Sequence, residues 1–91
     1  MNFEWDADKA QTNLEKHGVS FELATLVFTD IDRVTVKDTR QDYGEERLVT
    51  LGQVEGRVLV VVTTERDTPQ TIRIISARKA NKRERRHYDD R

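Results

Sequence analysis

The stretch RVLVVVTTERDTPQTIRIISARKANKRERR, residues 57–86, contains two apolar strands, the turn between them and a dense run of positive charge. The unbroken valines of 57–66 are typical of a central strand that is covered on both faces. DTPQ, residues 67–70, has turn composition, and 71–78 then has the pattern of another apolar strand. Consecutive strands joined by a short turn pair in antiparallel fashion. The stretch therefore predicts the centre of a sheet, with a basic segment directly after its last strand.

Two further strands precede this stretch. Residues 33–38 alternate between apolar and polar, so Val34 and Val36 share one face. Residues 46–52 form a second strand, and Val54-Glu55-Gly56 has the composition of a hairpin turn. Together the segments predict an antiparallel sheet of about four main strands.

The first thirty residues have helical spacing. Residues 2–5 could form a short edge strand, Asp6 stands where a helix N-cap belongs, and Gly18 is a natural helix end. An apolar stripe is predicted on this first helix: Ala7, Ala10 and Leu14. Ser20 can cap a second helix, whose buried side is predicted to contain Phe21, Ala24, Val27 and Phe28.

A basic helix is predicted from Lys79 to about Tyr88, with Ala80 and Tyr88 as its thin apolar stripe. The two early helices are expected to cover one face of the sheet. The prediction is a small α+β fold. Residues 1–91 show no linker and no repeat, so a single domain is expected.

Composition excludes several classes of protein. The chain has no cysteine, which rules out disulfides and zinc sites built on thiolates. The two histidines lack metal-ligand spacing, and we expect neither a metal nor another cofactor. The N-terminus has no signal-peptide pattern, and the longest apolar run, Val58 to Val62, cannot span a membrane. A cytoplasmic location is expected.

The charge is strongly asymmetric along the chain. Residues 73–91 have a balance of +5, whereas residues 1–72 have a balance of −6. Such a split suggests one surface for a polyanion and another for a different partner. The alternative is a basic helix that is merely solvated.

Polar side chains with a chemical use recur in two places. Lys9, Asn13, Lys16 and His17 share one face of the first helix, although an ordinary solvent face would look the same. Histidine is the side chain that most readily exchanges protons near neutral pH.

The strands supply a second set of such residues. Glu45 and Arg47 are two apart and are predicted to project from one face, and strand ends bring Arg66 and Arg78. In an antiparallel sheet, Glu45 and Arg47 could lie near either arginine, depending on the strand order. Cross-strand ion pairs are the alternative explanation, worth roughly 0.2–1 kcal/mol each. Arginine, lysine, histidine and glutamate are the set needed to hold a phosphate and to move protons around it.

Four blocks of the chain resemble the BrnT toxins of bacterial type II toxin–antitoxin systems. These blocks are FEWDADKAQTNLEKHGVSFELATLVF (3–28), GEER (44–47), GRVLVVVTTER (56–66) and IRIISARKANKRERRHY (72–88). Residues 29–43 fit least well, because Ile31 follows Asp30 where the family usually has proline.

The resemblance implies a fold similar to RelE-type ribonucleases and metal-independent RNA cleavage that inhibits translation and growth. It also implies a partner, a ribbon-helix-helix (BrnA-like) antitoxin, through which the complex binds operator DNA and within which a homodimer is an allowed arrangement. No membrane partner is implied.

In metal-independent cleavage, the RNA 2′-hydroxyl attacks the adjacent phosphorus, so a base, an acid and phosphate-binding cations are required. We assign phosphate binding to Arg47, Arg66 and Arg78. Glu45 and His17 are assigned the proton transfers, and which of them is the base and which the acid is left open. Six residues are predicted to bind RNA outside the reacting centre: Lys9, Lys16, Arg73, Lys79, Lys82 and Arg83. The alternative function is a non-catalytic module that uses the basic helix to bind nucleic acid or the antitoxin in an operator-binding repressor complex.

Overall fold

The computed structural model describes residues 1–40, 42–65 and 70–90. In this part of the chain five strands and three helices follow one another, with one 3₁₀ segment. In chain order they are β1 (Asn2–Glu4), α1 (Ala7–His17), α2 (Phe21–Thr25), the 3₁₀ segment (Leu26–Thr29), β2 (Val34–Lys37), β3 (Leu48–Val54), β4 (Arg57–Glu65), β5 (Thr71–Lys79) and α3 (Lys82–Asp89). These elements confirm the predicted small α+β domain. Within the described residues, no helix has the length and apolar character needed to cross a membrane.

The sheet has the strand order β1-β5-β4-β3-β2. Strands β2 to β5 form the predicted antiparallel meander, and β4 is the central strand. The prediction of a purely antiparallel sheet is wrong, because β1 pairs with β5 in parallel, with Phe3 opposite Ile72. The short-turn argument applies only to consecutive strands, and β1 and β5 lie at opposite ends of the chain.

The main core lies between one face of the sheet and the early helices. Alternate residues of β4, Leu59 and Val61, point to this face and are fully buried. They pack with Phe21 and Ala24 of α2 and with Val27 of the 3₁₀ segment. The predicted buried side of the second helix is therefore confirmed.

The opposite face carries α3 and a smaller core. Val60 and Leu51 point to this side and pack with Tyr88 and the partly buried Ala80. The Tyr88 hydroxyl donates a 2.5 Å hydrogen bond to the Asp30 carboxylate. Helix α3 is thereby held to the sheet near its C-terminal end.

Two sequence-based details of the helices are wrong. Lys79 still belongs to β5, and α3 begins at Lys82, because Asn81 caps it in a reciprocal capping box with Glu84. In α1, the buried residue is Asn13. Of the predicted stripe, Ala10 is partly buried against the main core, whereas Ala7 is exposed and Leu14 is 42 % exposed. Asn13 is buried because β1 pairs with only the first three residues of β5. The remaining edge of β5 has no strand beside it among the described residues, and the Asn13 side chain occupies that edge.

Candidate functional site

A cavity of about 350 Å³ lies between α1 and β5, and we call it the α1 cavity. Lys9, Lys16 and His17 line its helical side, and Ile75 and Ser76 line its strand side. The side chains of Lys9 and Lys16 form no ion pair with any residue in the described part of the chain. The predicted face of α1 thus brings two cations without an ion pair and a histidine together, next to the Asp8 carboxylate.

Asn13 fixes the distance between α1 and the strand. Its side-chain amide donates to the Ala77 carbonyl at 2.8 Å, and its side-chain oxygen accepts from the Ala77 N–H at 3.2 Å. The amide also donates to the Val19 carbonyl, which follows the left-handed Gly18 cap. Because Asn13 lies between Lys9 and His17 on the helix, these bonds hold both side chains beside β5.

An irregularity in β5 lies at the same place. Ser76 is opposite Val62 and Ile74 is opposite Thr63, so Ile75 has no counterpart on β4. Bulges of this kind redirect side chains and are frequent beside active sites. Here the bulged residue Ile75 and its neighbour Ser76 form the strand side of the α1 cavity.

A second cavity, of about 320 Å³, lies on the α3 side of the sheet, and we call it the arginine cavity. Its floor is aliphatic and includes Val60 and Val62 of β4. Polar side chains surround this floor: Asp38, Arg40, Ser76, Arg78 and Glu84. Ser76 lines both cavities, so they border the same residue of β5, with lysines and His17 in one and arginines in the other.

Arg78 is held by Glu84 in a two-pronged ion pair. Both terminal nitrogens of Arg78 donate to the Glu84 carboxylate, each at 2.8 Å. This hydrogen bonding raises the pKa of Arg78 and lowers the pKa of Glu84. The guanidinium is therefore oriented in the cavity, and a bound phosphate would compete with Glu84 for it.

Asp38 and Arg40 form the other ion pair at this cavity. The Asp38 side chain is only 1 % exposed, and it accepts two 2.9 Å hydrogen bonds from the Arg40 guanidinium. It also accepts from the Tyr43 hydroxyl at 3.2 Å. The Arg40 hydrogen bonds hold the pKa of Asp38 well below its usual range, and the Arg40 charge also contributes to the lowered pKa of Glu84. The two ion pairs are therefore electrostatic neighbours.

Glu45 and Arg47 lie in the loop before β3, which begins at Leu48, rather than on the strand. Arg47 Nε donates to Glu45 at 3.1 Å, and the guanidinium lies 4.0 Å from the centre of the Tyr43 ring. Through Tyr43 this pair is connected to Asp38, at the wall of the arginine cavity. The predicted proximity of Glu45 and Arg47 is present, but as a direct ion pair.

The other predicted residues lie away from the two cavities. Arg73 pairs with Glu4 on β1 at 3.6 Å, and Lys79 lies in a concavity on the far side of α3. Lys82 is exposed at the first residue of α3, and Arg83 lines a groove along β2 and β3. Arg66 lies outside the described residues.

Sequence reasoning did not identify Asp38, Arg40, Tyr43 or Ser76. The composition of residues 40–45 predicts only a turn around Gly44, and the pattern of 71–78 predicts Ser76 only as part of an apolar strand. An Asp-X-Arg spacing directly after an alternating strand is the one signal available for Asp38 and Arg40, and it is a weak one. No group of three or more histidine, aspartate or glutamate side chains in the described residues could hold a metal ion.

Comparison with known protein families identifies the family of this chain. A search of curated proteins finds no significant relative. The family model described as "Ribonuclease toxin, BrnT, of type II toxin-antitoxin system" matches residues 5–84, which is nearly the whole chain and includes both cavities. The chain therefore belongs to the BrnT family of ribonuclease toxins.

Proposed function

We propose that this chain is a metal-independent endoribonuclease with a RelE-like fold, in which residues 1–91 act as one domain in the cytoplasm. The observation that supports this most is that Ser76 lines both cavities. This arrangement places the cations Lys9 and Lys16 on one side of β5 and the oriented Arg78 on the other. A polyanion that crosses β5 would contact both.

The scissile phosphodiester would lie over Ser76. Attack by the 2′-hydroxyl builds negative charge on the phosphorane oxygens, and cations already held in position stabilise that charge without reorganisation. Arg78 serves this purpose because Glu84 fixes its orientation, and Arg40 is a further candidate because Asp38 fixes it in the same cavity. Lys9 and Lys16 would hold the neighbouring phosphates.

Proton transfer requires groups on opposite sides of the phosphorus. His17 lines the α1 cavity beside Ser76, and Glu45, which lines neither cavity, lies in the loop before β3 in an ion pair with Arg47. One of them would take the 2′ proton, and the other, or a cation, would protonate the leaving 5′ oxygen.

Partners follow from the family. A ribonuclease toxin of a type II system has a cognate antitoxin and an RNA substrate. We propose that this antitoxin has a ribbon-helix-helix domain, that the complex binds operator DNA through it, and that two toxin copies join in the complex.

The test is cleavage of total RNA by the purified chain in excess EDTA. We expect His17→Ala and Glu45→Ala to lower the rate by about 10²–10⁴-fold, the usual contribution of a positioned acid or base. Arg78→Ala should also lower it strongly. Arg57→Ala is the matched control, because Arg57 is exposed and lies outside both cavities.

A soluble and folded His17→Ala or Glu45→Ala protein that cleaves at the wild-type rate would contradict that residue's assignment. Wild-type cleavage that disappears in EDTA would contradict metal independence.

A second candidate is the non-catalytic binding module, and one observation favours it. Both terminal nitrogens of Arg78 are already occupied by Glu84. If the folded wild type cleaves neither free RNA nor RNA on translating ribosomes, but binds nucleic acid or antitoxin, the module is the correct description.

A further inference from the structure

An apolar groove of about 300 Å³ lies between α3 and the β2–β3 edge of the sheet, and we call it the valine groove. Val34 is opposite Leu51 and Val36 is opposite Val49, so four aliphatic side chains share this face. Helix α3 covers only one side of them, and Val36 remains 51 % exposed. Apolar surface of this kind beside a polar rim marks interaction sites.

The rim of the groove carries the positive charge of Arg83. Arg83 and His87 of α3 line it, and Arg83 forms no ion pair with any residue in ranges 1–40, 42–65 and 70–90. The one acidic residue of this wall, Glu84, is already engaged by Arg78. A complementary occupant is therefore apolar on one side and carries a carboxylate that can reach Arg83.

The groove also borders a free strand edge. In the sheet order β2 is the last strand, so the outer backbone groups of Val34–Lys37 have no partner strand among the described residues. Exposed edges accept chain segments from other proteins. RNA suits this surface less well, because the floor has no aromatic ring on which a base could stack.

We propose that the valine groove is the docking surface for an acidic, amphipathic segment of the cognate antitoxin. This inference rests on the proposed function, since the antitoxin is the partner that neutralises the ribonuclease. Val36, Val49 and Glu84 line both the groove and the arginine cavity. A segment seated in the groove therefore extends to the wall of the RNA site and excludes the substrate from it.

The test is the dissociation constant of the purified cognate antitoxin for toxin variants, measured by calorimetry in EDTA without RNA. Val36→Asp puts a charge on the apolar floor, and Arg83→Glu reverses the charge of the rim. We expect each to weaken binding by about 10-fold or more, as loss of a central interface contact does. Ile31→Asp and Arg85→Glu are the matched controls: Ile31 is 93 % exposed, and Arg85 lies on the far side of α3. Both should bind as the wild type does.

Thermal melting establishes that each variant is folded, and hydrogen exchange on the wild-type proteins gives a second measurement that needs no variant. The antitoxin should protect amides in Val34–Lys37 and at the groove-facing residues of α3.

Wild-type affinity in folded Val36→Asp and Arg83→Glu, or no protection of β2, would overturn the inference. Loss of RNA binding with antitoxin binding intact would assign the groove to RNA and would also overturn it. The wild type could also cleave no RNA and yet bind the antitoxin in a way that the groove variants weaken. That outcome would support the docking surface and contradict only the ribonuclease mechanism.

Discussion

The side-chain amide of Asn13 takes the place of a neighbouring strand at the open edge of β5. It satisfies both backbone groups of Ala77, an N–H and a carbonyl that β1 is too short to reach. Buried backbone groups of this kind are costly when unpaired. One polar residue thereby joins α1 to the sheet and sets the width of the α1 cavity.

We predict that Asn13→Ala lowers the free energy of unfolding by about 1–3 kcal/mol, because buried backbone groups lose their partners. Urea denaturation measures the change. Thr12→Ala, at an exposed neighbouring position, is the control and should stay near the wild type. Equal stability of the two variants would show that Asn13 does not hold the strand edge.

Asp38 makes stability depend on pH in a definite direction. Its pKa in the folded protein lies well below its ordinary value of about 3.8, chiefly through the Arg40 hydrogen bonds. The folded state therefore binds the proton less tightly than the unfolded state does. The stabilisation is complete above the ordinary pKa and is lost as the pH falls below it toward the folded pKa.

We predict that the stability difference between the wild type and Asp38→Asn is constant from neutral pH down to about pH 5 and shrinks below about pH 4. Urea midpoints measured across this range test it. Asp89→Asn, at an exposed position of α3, serves as the comparison. A difference that grows on acidification would contradict the assigned sign.

At the scale of elements, the contact between β3 and the 3₁₀ segment depends on a missing side chain. A Cβ atom on Gly52 would lie 2.5 Å from Val27 Cγ1 and 3.1 Å from the Val27 carbonyl oxygen. Val27 is fully buried against the main core. Glycine at this strand position therefore allows the 3₁₀ segment to approach the sheet.

We predict that Gly52→Ala destabilises the protein by about 1–3 kcal/mol through overpacking. Val27→Ala alone leaves a cavity and also destabilises. In the double variant the new methyl group occupies part of that cavity, so the loss should be smaller than the sum of the two single losses by about 0.5 kcal/mol or more. Thermal unfolding of all four proteins gives the coupling, and strict additivity would contradict the contact.

At the scale of the whole molecule, the basic residues are divided between two surfaces. The lysines of the α1 cavity have no ion pairs with described residues, whereas Arg40 and Arg78 are each balanced by a carboxylate. Uncompensated cations contribute most to phosphate binding, because each releases a counterion from the nucleic acid. RNA affinity should therefore depend on the α1 lysines and not only on the basic α3 run.

We predict that Lys9→Gln/Lys16→Gln reduces the slope of log affinity against log salt for single-stranded RNA by about 1.4, at about 0.7 per phosphate contact. Fluorescence anisotropy at several salt concentrations measures it. The double control Arg33→Gln/Arg57→Gln removes the same charge from exposed positions outside both cavities. An equal reduction in both proteins would mean that only net charge matters.

Local patterns sufficed where each segment's structure depends on its own residues. The alternation of Val34 and Val36, the turn residues Glu55 and Gly56 with their positive φ angles, and the valines of β4 all led to the observed elements. The face of α1 that carries Lys9, Lys16 and His17 was also predictable, because helical spacing alone brings these side chains together. Of the candidate site, only this face of α1 could be predicted from the sequence.

The sequence by itself determined the class of fold, the meander of four strands and the cationic face of α1, because these follow from the periodicity of neighbouring residues. Only the tertiary structure decided that β1 pairs in parallel with β5 and that Asn13 rather than an apolar stripe is buried. It also decided that Arg78 is held by Glu84 and that Ser76 lines both cavities. These features join residues far apart in the chain or on different elements, and such contacts depend on strand order and on side-chain reach, which local periodicity does not encode.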